Sequence, residues 1–137
     1  MTRFEDWPER LSAEIAKARA APFEWGAHDC ALWAFEVVAA LTGVDHVAQV
    51  RGTYATREGA LRCLASEWGC GLLEATAALL GDPLQSPLYA QRGDVVAIET
   101  ADGPALGICL GAELAFIEQR GGLTLKPITD ATRAWRV

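Results

Sequence analysis

The chain has 137 residues, 51% of them hydrophobic and 22% charged, with 18 acidic against 12 basic side chains and a formal net charge of -6. That length suffices for one domain, residues 1–137, with a core that needs no disulfide or metal, and the composition is globular rather than disordered. The acidic balance and scattered arginines exclude the basic stripe of a nucleic-acid binder, and no apolar run is long enough to span a bilayer.

The opening MTRFEDWPERL is charged and lacks the apolar centre of a signal peptide, which implies a cytosolic start. Asp6-Trp7-Pro8-Glu9 combines an acidic cap, an early proline and a glutamate three residues on. Leu11, Ile15 and Ala18 then recur at helical spacing, so a first helix is expected to end near Ala21-Pro22. A second helix is predicted from an N-cap at Asp29 to Thr42-Gly43, glycine being suited to the left-handed C-terminal position. Ala31, Phe35, Val38 and Leu41 form one stripe of it, while Trp33, Val37 and Ala40 lie on other faces. A helix apolar all round is surrounded by protein, so this one is expected at the centre of the domain.

Asp45 to Tyr54 reads as an irregular connection; Thr56 then caps a third helix through Trp68, and Gly71-Leu72 opens a fourth to Leu80-Gly81. Prolines and glycine at 83, 87 and 93 forbid regular structure from Asp82 to Arg92. The β-branched run Asp94–Thr100, the turn Ala101–Pro104 and a return strand Ala105–Leu110 predict a hairpin. Further strands at Glu113–Glu118, near Leu123–Ile128 and at Ala134–Arg136 are expected to complete an antiparallel meander. The fold class is therefore α+β, a helical N-terminal half packed on a C-terminal antiparallel sheet.

Chemistry concentrates at His28-Asp29-Cys30. A thiol at the first turn of a helix sits where unpaired N–H groups and the macrodipole favour the thiolate, whereas burial opposes it. Cys30 and His28 are thus the candidate catalytic residues, although two residues so close at a helix start point in different directions. His46, in the irregular connection, reads as a surface histidine. Asp29 fits the cap best, and with Trp25, beside Gly26, it is a candidate for the wall of a substrate groove. Cys30, Cys63, Cys70 and Cys109 include no C-x-x-C pair and are read as free thiols. No metal site is expected, because zinc would need cysteines from distant elements, and no cofactor is implied. Tyr54 and the five tryptophans read as core anchors, and Arg51 and Arg92 as exposed loop residues.

Asp29-Cys30 opening a buried helix, followed by RGDVVAIETADGPALGICLG, resembles the NlpC-type cysteine peptidase superfamily of papain-like fold. The set WGAHDCALWAFE, RGTYATREGA, RGDVVAI and AWRV is similar, from Phe23 onward, to a family of small proteins of phage and prophage genomes, often within tail-gene modules. The resemblance implies a papain-like fold, with Cys30 at the nucleophile's position and Gly93-Asp94 opening the first strand of the hairpin. Ala105 then occupies the position of the catalytic histidine, and the orienting polar residue falls near Ile117; a shifted alignment would bring Glu118 there. A thiol without a base is mostly protonated and has no acid for a leaving amine, a deficit of about 10²–10⁴-fold. The function so implied is a structural or assembly component of a phage tail, without peptidase activity, with other tail proteins as partners. It would reside in the cytoplasm before assembly and in the virion tail afterwards. The alternative is an active thiol hydrolase on peptidoglycan peptides or other amides, with Cys30 as nucleophile and His28 or His46 as base.

Overall fold

The computed structural model describes residues 1–137, with four helices in the first half and a five-stranded antiparallel sheet in the second, an α+β arrangement. The helices are α1 (Trp7–Ala20), α2 (Cys30–Thr42), α3 (Arg57–Trp68) and α4 (Leu72–Leu80). The strands are β1 (Val95–Thr100), β2 (Gly103–Cys109), β3 (Glu113–Ile117), β4 (Leu123–Pro127) and β5 (Arg133–Trp135). The spatial order is β4-β3-β2-β1-β5. β1 to β4 form the expected meander, but β5 crosses the sheet to pair with β1, placing Trp135 opposite Val95. A 3-10 turn at Ile128–Asp130 lies on the path of that crossing.

α2 is the central element, as its all-round apolarity requires. Eight of its thirteen residues are buried, Trp33, Val37, Val38 and Leu41 among them. Each fully buried aliphatic side chain stabilises by about 1.5–3 kcal/mol, so α2 anchors the domain. It packs between α1 and the sheet, chiefly on β2. α1 contributes Leu11, Ile15 and Ala18 to the same core. One face of the sheet, including Val95, Ala97, Leu106 and Ile108, meets the helices. The other carries Val96, Ile98, Cys109, Leu114 and Phe116 under Leu84, Ala90 and Ile128.

Several boundaries differ from the sequence reading. Asp6 makes no side-chain cap to α1; its carboxylate instead accepts from Arg10 Nε at 2.7 Å, which the i, i+4 spacing favours. The β1–β2 turn contains only Ala101 and Asp102, since Gly103 already pairs with Thr100 and Pro104 with Glu99. Between Asp82 and Arg92, Pro87–Tyr89 forms a short 3-10 helix in which Ser86 accepts from the Leu88 amide, proline being favourable at its first position. α3 has no buried residue at all, and its nearest packing partner is α4.

A clamp that the sequence reading overlooked closes the chain ends on the sheet. The Asp94 carboxylate, fully buried, accepts from Arg3 Nη2 at 3.1 Å and from the amides of Gln91 and Val137 at 2.8 and 3.0 Å. Arg136 Nε lies 3.3 Å away. Arg3 also donates to the Arg92 and Val137 carbonyls, each at 2.8 Å.

Candidate functional site

The N-terminus of α2 is set by Asp29, whose side chain is more occupied than a simple cap. Oδ1 accepts from the Leu32 amide at 2.9 Å, while Oδ2 accepts from the Gly26 amide at 3.0 Å and from the Tyr54 hydroxyl at 2.6 Å. One carboxylate thus joins three segments: the turn before α2, the helix itself and the connection ending at Tyr54. Gly26 adopts φ +82°, and a Cβ there would collide with the Tyr54 carbonyl, so glycine is required for this close approach. Its own carbonyl accepts from Gly52 at 2.8 Å, tying the two loops a second time.

Cys30 follows immediately, on the wall of a cavity of about 330 Å³ that is lined by 25 residues, 18 of them hydrophobic. The floor is α2 and the 45–54 connection, through Leu32, Phe35, Val47 and Val50. The opposite wall is α3 and α4, with Ala60, Leu64, Trp68, Leu72 and Leu79. α3 has no fully buried residue: Ala60, Leu61 and Leu64 face this space, while Cys63 and Trp68 both line it and pack half-buried against the core. At the rim, Arg57 Nη2 donates to the Asp102 carbonyl at 2.8 Å, spanning from α3 to the β1–β2 turn.

Burial pushes the Cys30 thiol up to about 11, outweighing hydrogen bonding from the Leu106 backbone; the adjacent Asp29 charge acts in the same direction as burial. The helix terminus therefore fails to generate a thiolate at neutral pH. Burial, reinforced by Asp29, also pushes the Tyr54 phenol up, so it stays protonated and donates to the carboxylate. Ala105 lines the same cavity as Cys30.

The structure brings together Trp25, Asp29, Cys30 and Ala105, all in the cavity wall. Neither histidine is among the lining residues. His28 is held by backbone hydrogen bonds to Glu24, and its Nε2 is buried without a partner. His46, half-buried rather than free on the surface, packs edge-on to Phe35, with Nε2 3.1 Å from Met1 Sδ. Ile117 belongs to the core, and Glu118 accepts from the Thr124 hydroxyl, away from the cavity. Trp33 and Trp135 are buried in the core as expected, and Trp7, Trp68 and Tyr54 pack half-buried against it; Trp68 and Tyr54 also line the cavity, together with Trp25. Arg51 pairs with Asp45 at 2.8 Å.

Cys63 and Cys70 also face this cavity, and Cys109 is buried in the sheet. All four thiols are free, and no group of three or more His, Cys, Asp or Glu is placed to hold a metal ion. No helix is long and apolar enough to cross a membrane. Chemically, the site offers an apolar chamber, a protonated thiol and a carboxylate already engaged by three donors. It lacks an imidazole that could move a proton.

Over residues 2–137 the chain matches the model of a family described as a domain of unknown function, DUF6950. No curated protein matches it.

Proposed function

We propose that this chain, which belongs to the DUF6950 family, works by binding and not by hydrolysis: a papain-like, NlpC-like domain without peptidase chemistry that serves as a structural or assembly component of a phage tail. The observation that carries the reading is the environment of Cys30. Its thiol is pushed up to about 11 and Ala105, not a histidine, shares its cavity wall. Such a thiol has neither the base that activates a nucleophile nor the acid that releases an amine. The packing of β2 on the helix headed by Cys30 supports the kinship with NlpC-type domains. The tail setting, with other tail proteins as partners and synthesis in the cytoplasm before assembly, rests on the sequence resemblance.

The test is hydrolysis of purified peptidoglycan and of peptide p-nitroanilides by the full chain, with Cys30→Ala alongside. Equal background rates are expected from both proteins. Turnover that disappears with Cys30 would establish a thiol hydrolase and overturn the proposal. The retained thiol on a cavity wall is the observation that favours that second reading.

A further inference from the structure

We infer that the cavity beside Cys30 is a binding site for a hydrocarbon chain of about ten to thirteen carbons, its polar end left at the Arg57–Asp102 rim; this rests on the binding reading above and names the ligand class. The first support is size. At about 330 Å³ the cavity falls within the range of small-molecule pockets. It is roughly twice the ~150 Å³ apolar cavity that accommodates benzene, which scales to the stated chain length.

The second support is the state of the polar groups in the wall. The Asp29 carboxylate has its three donors, and the Tyr54 hydroxyl is spent on it. The hydroxyls of Thr76 and Thr100 donate to the Leu72 and Gly103 carbonyls at 2.8 and 2.7 Å. The Cys30 thiol is protonated at neutral pH. Arg57 and Asp102 are exposed and stand at the rim. An extended peptide in this chamber would bury C=O groups against wall hydroxyls whose one hydrogen is already donated, a cost that a hydrocarbon does not incur.

The third support is α3. Its apolar residues Ala60, Leu61, Leu64 and Trp68 line the chamber while none of the helix is buried. Cys63 and Trp68 also pack half-buried against the core, so a chain lying between α3 and α2 would cover both walls and bury the remaining apolar side of α3.

The experiment titrates straight-chain alcohols, hexanol to dodecanol, into the full chain and follows tryptophan indole N–H resonances. Affinity is expected to rise about fourfold per methylene until the cavity fills near ten carbons. The Trp25 and Trp68 signals should shift while that of Trp7 does not. Ala60→Phe, which fills the chamber from α3, should weaken decanol binding at least tenfold. The exposed Ala112→Phe should leave it unchanged.

Binding without length dependence, or shifts confined to Trp7, would overturn the inference whether or not Ala60→Phe folds. So would a blocked tri-leucine peptide that binds more tightly than decanol, since the occupant would then be a peptide. Failure of the alcohols leaves the absence of hydrolysis intact, whereas Cys30-dependent turnover would overturn the earlier reading without altering the length series.

Discussion

Replacing Asp29 by alanine removes the carboxylate on which three segments converge. Loss of the α2 cap costs about 1 kcal/mol, as N-cap deletions do. The Tyr54 hydroxyl loses a charged acceptor at 2.6 Å, worth about 1.5–2 kcal/mol, and the Gly26 amide is left without its acceptor at about 1–2 kcal/mol more. These terms share one side chain, so the total is about 3–5 kcal/mol. Tyr54→Phe removes only one of the bonds and should cost about 2 kcal/mol. Urea unfolding at pH 7, with the slope unchanged across variants, measures both. Because the Tyr54 bond is already absent in Asp29→Ala, adding Tyr54→Phe to it should cost less than 1 kcal/mol more. A loss under 1 kcal/mol for Asp29→Ala, or full additivity in the double variant, would mean that this carboxylate does not join the three segments.

Three further outcomes follow from the same structure. The Cys30 thiol is raised from 9.0 to about 11 on folding, so the folded chain retains a proton that the unfolded chain has released between those values. The corresponding stability, roughly 3 kcal/mol, is present below pH 9 and lost as pH rises through 11; denaturation in reducing buffer at pH 8 and 10.5 should show a steeper fall for the parent than for Cys30→Ala. Asp94→Ala leaves Arg3 without its buried carboxylate and frees Val137, which should cost about 3–5 kcal/mol in urea unfolding and increase amide exchange at both chain ends. Gly107→Ala would place a Cβ 2.6 Å from the Phe116 ring and against the Ala115 carbonyl, so thermal unfolding should register a loss of about 1–3 kcal/mol, with Cys109→Ala on the same face failing to relieve it.

The cap at Asp29, the buried stripe of α2 and the β1–β2 hairpin were legible because each rests on contacts within a few residues or on a strong apolar period. β5 was misplaced because three residues carry no signal for which strand edge they join, and only the sheet order fixes Trp135 beside Val95. The clamp at Asp94 depends on Arg3 and Arg136, 91 and 42 positions away, and charge pairing at that separation leaves no local pattern. At the site, Trp25, Asp29 and Cys30 were placed together correctly because they are neighbours in sequence. The ring of Tyr54 packs against the core as its aromatic character suggests, but nothing local indicates that its hydroxyl returns to Asp29. The wall formed by α3 was invisible for a related reason: apolar residues at helical spacing look the same whether they cover a core or an open chamber.

The thiol at the head of α2 is held protonated by burial, with no base beside it. Alkylation by iodoacetamide from pH 6 to 12, on a chain carrying Cys63→Ser, Cys70→Ser and Cys109→Ala, isolates that thiol. A rate that stays low at neutral pH and reaches half its plateau near pH 11 is the predicted result. A plateau already reached by pH 7 would mean that Cys30 is a thiolate at neutral pH and that burial does not hold its proton.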